Sequence, residues 1–258
     1  ICLIHSKEIN HPKGSRFNKK VLEVLNNVDR VVANSNYTKN LAIDLGVEEQ
    51  RILVINPGVD PVTEIPKKDL SKAEELFKGK KQRLITVSRF DKRKNHEKVI
   101  MAVRNLKEVY PDIIYTCIGY GDEEENLKKL VIELKLEEQV KFLKDIPNDF
   151  KNALVARSNV FVMPSIIHKK SVEGFGIAYI EAAQYSIPSI GGKDGGASDA
   201  IINEKTGLIC DGNNLDDIYS SIDLIFKENK YLEYGKAAKE NANNFTWDKI
   251  IESYKRIL

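Results

Sequence analysis

The sequence lacks several features that would assign a protein to a particular class. Only three of its 258 residues are cysteines. Cys2, Cys117 and Cys210 lie far apart and lack the spacing of metal ligands, so we expect reduced, buried thiols. No apolar run reaches the ~18 residues of a membrane-spanning helix, and the start of the chain does not resemble a secretory signal. We therefore expect a cytoplasmic globular protein.

An excess of one charge is also lacking. Forty Lys and Arg nearly balance 38 Asp and Glu, which leaves a formal net charge of +2. Bulk electrostatics thus gives no reason to expect a nucleic-acid partner, and any anion site must be local. The four histidines have no metal-ligand spacing. Because no Asp-x-Asp occurs either, we expect no catalytic divalent metal.

Two common nucleotide-binding motifs and one hydrolase motif are missing. The chain contains neither a P-loop nor a Gly-x-Ser-x-Gly nucleophile elbow. A dinucleotide fingerprint begins at Gly119-x-Gly121, but Glu124 stands where the third glycine should be. That segment predicts a tight turn and gives no evidence for NAD.

Short β-branched runs alternate with amphipathic stretches over most of the chain, which is typical of an α/β fold with a parallel sheet. Strands are predicted at residues 29–35, 82–88, 112–119, 139–143, 159–165, 187–192 and 206–211. Helices are predicted at residues 95–110, 123–136, 149–158, 214–228, 231–243 and 246–257. Ile1 already lies in what reads as a strand, so we expect further chain before it.

A proline-rich segment, "INPGVDPVTEIPKKD" (55–69), has no helical periodicity and predicts an interdomain linker. We place the boundary at residue 60. Residues 61–258 hold enough elements to close a complete parallel sheet. Residues 1–60 hold too few to bury a core alone, so we expect them to be the tail end of another domain.

Two glutamates flank a glycine turn in "SVEGFGIAYIEAAQ" (171–184). A helix is predicted to start near Gly176. Eight helical residues rise about 12 Å, so Glu173 and Glu181 cannot hold one ion, but they suit a long ligand with a phosphate between them, such as a nucleotide sugar. The spacing alone equally allows a solvated loop glutamate and a second one on a polar helix face.

A basic turn follows the predicted strand at 82–88, in "SRFDKRKNHE" (88–97). Arg89, Lys92, Arg93 and Lys94 crowd a strand-to-helix turn, with Asn95 as the predicted N-cap. Ligands bind at this carboxyl edge of parallel sheets, so the turn indicates an anion site. A solvated charge cluster would explain Lys92 and Arg93 well, but Arg89 less well, because Arg89 directly continues a buried strand.

Together these segments resemble the group 4 family of retaining, nucleotide-sugar-dependent glycosyltransferases of the GT-B fold. The similar segments follow the family's order along the chain: "INPGVD" (55–60), "VSRFDKRKNHE" (87–97), "IGYGDEEENLKKL" (118–130), "VFVMPS" (160–165) with the glutamate-x7-glutamate segment "EGFGIAYIEAAQYSIPSIGG" (173–192), and "TGLICDGNN" (206–214). The resemblance implies a Rossmann-like parallel-sheet domain with helices on both faces over residues 61–258. Its final helices would pack back toward the C-terminal remnant of a second Rossmann-like domain.

The resemblance also implies roles for the catalytic residues. Arg89 and Lys94 would hold the diphosphate of the donor, and Glu173 would lie beside the donor sugar. Glu181 would bind the ribose hydroxyls. His5, in "LIHS", would face the reaction centre; the alternative is a plain loop histidine. No metal ion or other cofactor is implied.

Backbone groups complete the implied donor site. Amides around Phe175, Gly176 and Ile177 would contact sugar hydroxyls and phosphate, and the backbone near Asp145 and Ile146 would flank the base. Lys144 stands where the family often has glycine, which leaves the donor open among UDP-, GDP- and ADP-sugars. Gly196-Ala197-Ser198-Asp199 replaces the family's Gly-x-Pro-Glu, so this loop is expected to be placed differently.

The implied reaction is sugar transfer to an acceptor hydroxyl with retention of configuration, on a glycan or lipid-linked acceptor in polysaccharide or glycoconjugate biosynthesis. Two alternatives remain open: a nucleotide-sugar epimerase of the same fold and a non-catalytic nucleotide-sugar-binding subunit. Five basic residues lie in an otherwise irregular stretch: Lys7, Lys13, Arg16, Lys19 and Lys20. They would suit peripheral contact with the anionic inner face of the cell membrane, or else form a solvated face.

Overall fold

Two parallel sheets organise the chain in a computed structural model that describes residues 1–12 and 14–257. A three-stranded sheet has the order β1-β2-β3, and a six-stranded sheet has the order β6-β5-β4-β7-β8-β9. The strands are β1 Cys2–Ile4, β2 Val31–Ala33, β3 Ile52–Val54, β4 Arg83–Val87, β5 Ile114–Ile118, β6 Val140–Leu143, β7 Val160–Met163, β8 Ser189–Gly192 and β9 Gly207–Cys210. Every strand predicted from the sequence is confirmed; β3 was not predicted.

The helices are α1 Arg16–Asn26, α2 Asn36–Leu45, α3 Lys67–Leu76, α4 His96–Leu106, α5 Glu124–Glu133, α6 Asn148–Ala156, α7 Ile177–Gln184, α8 Ala197–Ala200, α9 Leu215–Lys227, α10 Lys230–Ala242 and α11 Trp247–Lys255. All six predicted helices are confirmed. The prediction of an irregular stretch around residues 16–20 is wrong, because these residues open α1, which Ser15 caps by accepting from the amide of Asn18. Helix α3 begins inside the predicted linker.

Helices cover both faces of the six-stranded sheet. Successive strand residues point to opposite faces. Leu84 of β4 therefore joins one buried cluster with α4, α5 and α9, while Ile85 joins another with α6 and α7. Two of the three cysteines, Cys117 and Cys210, are buried as expected, whereas Cys2 is only half-buried.

The order of the strands reverses at β4, which lies between β5 and β7. In doubly wound sheets the loops at such a point diverge and leave a crevice at the carboxyl ends of the strands. Here the loops at that crevice are residues 88–95, after β4, and residues 164–176, after β7. The fold therefore brings the basic turn and the first glutamate of the pair to the same edge.

The first sixty residues bury a small core of their own between β1 to β3, α1 and α2. The last helix, α11, packs against this part of the chain, since Ile250 clusters with Val32 and Ile55. Two further contacts lie nearby: Val59 N donates to Phe245 O at 2.8 Å, and the Trp247 indole donates to the Asp60 carboxylate at 3.1 Å. The boundary at residue 60 stays a prediction.

The contact between Gly119 and Ser88 shows how tightly the loops after β5 and β4 pack against each other. It has a φ of +146°, and an added Cβ would lie 2.0 Å from the carbonyl oxygen of Ser88. Gly79 also has a positive φ, +74°, but faces open space. We expect Gly79→Ala to lower the free energy of unfolding by about 1 kcal/mol, from backbone strain alone. Gly119→Ala should cost at least about 2 kcal/mol more, because strands β4 and β5 must separate.

Urea denaturation of both variants measures the difference. Equal losses in the two proteins would mean that the loops have room to move apart.

Candidate functional site

Three charged side chains meet at the crevice, and we call Arg93, Lys94 and Glu173 the charge cluster. Arg93 Nη1 lies 2.6 Å from Glu173 Oε2, and Lys94 Nζ donates to the same oxygen. The side chains are only 9%, 11% and 13% exposed, respectively. Two cations thus share one carboxylate oxygen in a nearly buried site.

Local structure holds both cations at this position. Residues 92–94 form one 3-10 turn, which Asp91 caps by accepting from Lys94 N at 3.1 Å. Asn95 then adopts a left-handed conformation, with a φ of +62°, before α4 begins. Its side chain donates to Pro164 O at 3.0 Å and Gly212 O at 2.8 Å. Asn95 is the N-cap residue of α4, as predicted, but its side chain accepts from no helix amide within residues 96–106 and instead ties the turn to the ends of β7 and β9.

The charge state of the cluster follows from its surroundings. Burial alone would raise the pKa of the Glu173 carboxyl, but the positive charges of Lys94 and Arg93 hold that pKa below its usual value. Burial lowers the pKa of the Lys94 ammonium, and Glu173 opposes that change. Glu173 is therefore ionised at neutral pH, and it balances only one of the two cations.

The loop after Glu173 is in close contact with the first sheet. Glu173 O accepts from Gly196 N at 2.8 Å. A Cβ on Gly174 would lie 2.9 Å from His5 O and 3.0 Å from Asn34 Nδ2. Only glycine therefore fits at position 174, where the loop passes between the two sheets. His5 has an exposed side chain, and it is the backbone of His5 that faces the loop.

Helix α7 begins where the sequence predicts. Gly176, with a φ of +93°, precedes Ile177, which is 43% exposed at the helix N-terminus. Phe175 is buried instead, and its ring lies 5.5 Å from that of Phe245. Helix α7 thus begins four residues after Glu173, and the free amides of its first turn favour an anion.

The environments of the two arginines in the basic turn are the reverse of those expected from the sequence. The Arg89 side chain is 73% exposed and lies 3.6 Å from Asp91, whereas Arg93 is buried. Arg89 leaves the sheet as β4 ends. The 3-10 turn then brings the chain back over β7, where Arg93 O accepts from Ile166 N at 2.9 Å. Lys92 is exposed, in agreement with a solvated side chain.

Glu181 lies apart from the charge cluster. It is exposed and lines a cavity of about 390 Å³ between α6, α7 and residues 60–63, together with Val87, Asn148 and Tyr185. Among the described residues, no member of the charge cluster lines this cavity. Glu173 thus lies four residues before α7, whereas Glu181 lies within the helix and lines the cavity on its side.

The loop after the edge strand β6 carries the two residues predicted to flank a base. Asp145 is exposed and has a positive φ of 51°, and Ile146 is half-buried against the core. Lys144 Nζ lies 5.6 Å from the centre of the Tyr120 ring. Both predicted residues thus lie at the carboxyl edge of the sheet, in the loop that leads into α6.

Asp199, in the segment that departs from the family's pattern, joins the two sheets. Its Oδ2 accepts from Asn36 N at 2.8 Å, from Asn36 Nδ2 at 2.9 Å and from Asn56 Nδ2 at 3.3 Å. Sequence reasoning did not find this contact, because no spacing in the chain links residue 199 to residue 36.

A buried hydrogen-bond chain under the basic turn was also not predicted. The ring nitrogens of His96 lie 3.0 Å from Ser88 Oγ and 2.9 Å from the Tyr115 hydroxyl, which in turn lies 2.8 Å from Thr86 Oγ1. Burial lowers the pKa of His96 to about 3, and the nearby charge of Lys94 adds to the effect. His96 is thus neutral and holds Ser88, the residue before Arg89, against the sheet.

Neither a metal centre nor a membrane span is found in the part of the chain that the structure describes. No group of three or more His, Cys, Asp or Glu side chains within residues 1–12 and 14–257 could hold a metal ion. None of the helices in these ranges is both long and apolar enough to cross a bilayer.

Comparison with known protein families agrees with this architecture. The family described as "Glycosyl transferases group 1" matches residues 67–245, and "Glycosyltransferase Family 4" matches residues 1–63. The chain belongs to the glycosyl transferases group 1. The resemblance to a glycosyltransferase family is thereby confirmed.

Curated relatives are similar over most of this chain. A GDP-mannose-dependent alpha-(1-6)-phosphatidylinositol monomannoside mannosyltransferase of Mycolicibacterium smegmatis is 29% identical over 86% of the chain and 60% of that protein. A D-inositol 3-phosphate glycosyltransferase of Pseudarthrobacter chlorophenolicus is 27% identical over 90% of the chain and 56% of that protein. The chain thus spans about three fifths of the length of these relatives.

Solved structures confirm the fold. HepE of Anabaena, crystallised with UDP and glucose, superposes with a TM-score of 0.82 at 20% identity, over 99% of this chain and 70% of that chain. Sucrose-phosphate synthase of Thermosynechococcus elongatus gives a TM-score of 0.79 at 21% identity, over 99% and 66%. The predicted α/β architecture of the GT-B type is therefore correct.

His96 makes the stability of the protein depend on pH. An unfolded histidine binds a proton below about pH 6.5, whereas buried His96 does so only near its pKa of about 3. The unfolded state thus binds more protons between these values, so stability is lost as the pH falls. We expect the free energy of unfolding to fall by about 1.4 kcal/mol per pH unit more in the wild type than in His96→Gln, between pH 6 and 4.

Urea denaturation of both proteins across this range provides the measurement. Other titrating groups are common to both proteins and cancel in the comparison. Parallel pH profiles would show that His96 becomes protonated within the folded protein.

Proposed function

We propose that the chain is the donor-binding part of an enzyme that transfers a sugar from a nucleoside diphosphate to an acceptor hydroxyl. The observation that carries the proposal is the charge cluster, in which two nearly buried cations face a single carboxylate. A buried charge without a counter-ion is costly. A diphosphate entering the crevice would supply the missing negative charge and gain the amides of α7 as further donors.

The same groups would assist the chemical step. Negative charge develops on the diphosphate as the bond to the sugar breaks, and Lys94, Arg89 and the N-terminus of α7 would stabilise that charge. Arg89 is exposed in the same basic turn, and its flexible side chain would have to swing toward a bound donor. With these cations in place we expect transfer without a divalent metal ion.

Glu173 would orient the donor sugar. Both cations donate to its Oε2, and among the described residues none donates to Oε1. That second oxygen can therefore accept a hydrogen bond from a sugar hydroxyl. His5, next to the loop of Glu173 and Gly174, would face the sugar from the first sheet. Retention of configuration follows from the family resemblance and belongs to the same proposal.

The nucleoside would extend along α7 toward Glu181. The cavity beside Glu181, about 390 Å³, is of the size that small-molecule sites have. The exposed carboxylate of Glu181 would accept hydrogen bonds from the ribose hydroxyls, and the loop at Asp145 and Ile146 would flank the base.

The relatives suggest which substrates to test first. Several are named as GDP-mannose-dependent enzymes that act on phosphatidylinositol monomannoside, and another as a D-inositol 3-phosphate glycosyltransferase. We propose GDP-mannose as the first donor, with UDP- and ADP-sugars as the comparison. As acceptors we propose inositol phosphates, free or lipid-linked.

Replacement of Lys94 tests the proposed diphosphate site. Lys94→Ala should lower the rate of sugar transfer at least about a hundredfold, because one buried charge-assisted contact to the leaving group is lost. The neighbouring and exposed Lys92 provides the matched control, and Lys92→Ala should stay within about twofold of the wild type. Transfer is measured by release of nucleoside diphosphate, with and without a metal chelator.

Three outcomes would contradict the proposal. Equal transfer rates in Lys94→Ala and Lys92→Ala would show that Lys94 does not contribute to the diphosphate site. Conversion of the donor to its epimer in the absence of acceptor, seen by NMR, would favour the epimerase alternative. Donor binding without release of nucleoside diphosphate, over the whole panel of acceptors, would favour a non-catalytic binding subunit.

The surface of α1 also supports peripheral contact with an anionic membrane. Phe17 and Val24 are 50% and 56% exposed, and the basic residues Arg16, Lys19 and Lys20 are exposed beside them. Exposed apolar side chains next to cations are typical of helices that lie in a membrane interface. Lys7 is exposed too, whereas Lys13 lies outside the described residues.

Removal of these charges tests the membrane contact. The triple variant Arg16→Gln, Lys19→Gln, Lys20→Gln should bind vesicles rich in anionic phospholipid at least about tenfold more weakly than the wild type, because each cation contributes about 1 kcal/mol. Removal of three exposed lysines elsewhere, in Lys227→Gln, Lys236→Gln, Lys239→Gln, should have little effect. The same reduction in both triple variants would indicate nonspecific attraction.

A further inference from the structure

We infer that Arg93 is a positioning residue, which holds Glu173 in place so that Lys94 can leave that carboxylate and bind the donor diphosphate. The inference rests on the proposed function. Neither the resemblance nor the basic turn as read from the sequence assigns any role to Arg93, since a solvated side chain explained it well.

The first step of the argument is the shared oxygen. Arg93 Nη1 and Lys94 Nζ both contact Glu173 Oε2. If Lys94 were the only partner of Glu173, an incoming diphosphate would have to compete with that carboxylate for its ammonium group. Removal of one partner from a buried ion pair leaves the other charge uncompensated, at a large cost. With Arg93 present, Glu173 stays paired when Lys94 moves.

The second step concerns the mobility of the two cations. A lysine ammonium sits on a flexible four-carbon stem, whereas a guanidinium is planar and presents its donors in a fixed arrangement. The Arg93 side chain is 9% exposed, and its backbone is fixed to the loop after β7 through Ile166 N. Arg93 is therefore the fixed partner of Glu173, and Lys94 is the one that can move.

The third step concerns the hydrogen bonds of the Arg93 guanidinium. Arg93 Nε is buried, and within the ranges that the structure describes it has no hydrogen-bond acceptor. A buried donor without an acceptor costs free energy and is uncommon in folded proteins. This arginine is thus not part of a network optimised for stability, which fits a residue whose role is to position Glu173.

A double-mutant cycle on the binding of inorganic pyrophosphate tests the inference, measured by isothermal titration calorimetry with GDP and UDP in parallel. Pyrophosphate carries no sugar, so any contact between Glu173 and the donor sugar does not enter. Arg93→Met should weaken pyrophosphate binding at least about tenfold, because Lys94 then remains with Glu173. In a Glu173→Gln background Lys94 is already released, so Arg93→Met should change the affinity less than about threefold.

The outcomes separate this inference from the alternatives. If Arg93 contacts the phosphate directly, Arg93→Met will weaken binding equally in both backgrounds, and the inference is overturned. The same holds if Arg93→Met binds like the wild type. If the wild type binds neither pyrophosphate nor either nucleotide, the proposed function fails, and this inference fails with it.

Arg93→Gln, alone and combined with Glu173→Gln, is measured as well, in case Arg93→Met does not fold. Arg93→Gln keeps a hydrogen-bond donor but removes the charge, and it should show the same dependence on residue 173. Thermal unfolding of each variant is measured alongside. A loss of affinity that Glu173→Gln does not restore, accompanied by a lower unfolding temperature, would show a purely structural role and overturn the inference.

Discussion

The site depends on one interaction, the pairing of two cations with a single oxygen of Glu173. This interaction joins the loop after β4 to the loop that leads into α7, and one carboxylate there faces two cations. Much of the surrounding structure keeps this arrangement in place. The amide of Asn95 ties the basic turn to the ends of β7 and β9, and neutral His96 holds the start of that turn against the sheet.

The elements of the larger sheet were predictable, because buried parallel strands are short β-branched runs that stand out from the amphipathic helices between them. The prediction was weakest in the first seventy residues. Strand β3 has only three residues, and α1 places Phe17 and Val24 on its surface, so its apolar residues do not mark a buried face clearly.

The candidate site was predictable in part. The spacing around Gly176 gave the start of α7, and the basic turn was located correctly. Which arginine of that turn is buried could not be read from the sequence, because it depends on a single 3-10 turn that redirects the chain between Arg89 and Arg93. The contact of Asp199 with Asn36 and Asn56 was likewise beyond prediction, since it joins segments far apart in the chain.

The return of α11 to the first sheet constrains how the two sheets can move relative to each other. The chain passes between the sheets twice, once near Val59 and once near Phe245, and a hydrogen bond links these two passages. A change in the angle between the two sheets must therefore bend both passages together. The hydrogen bond from the Trp247 indole to the Asp60 carboxylate joins the same two passages a second time. Gly174 also approaches His5, and Asp199 binds Asn36, so any change in the angle between the sheets alters these two contacts at the same time.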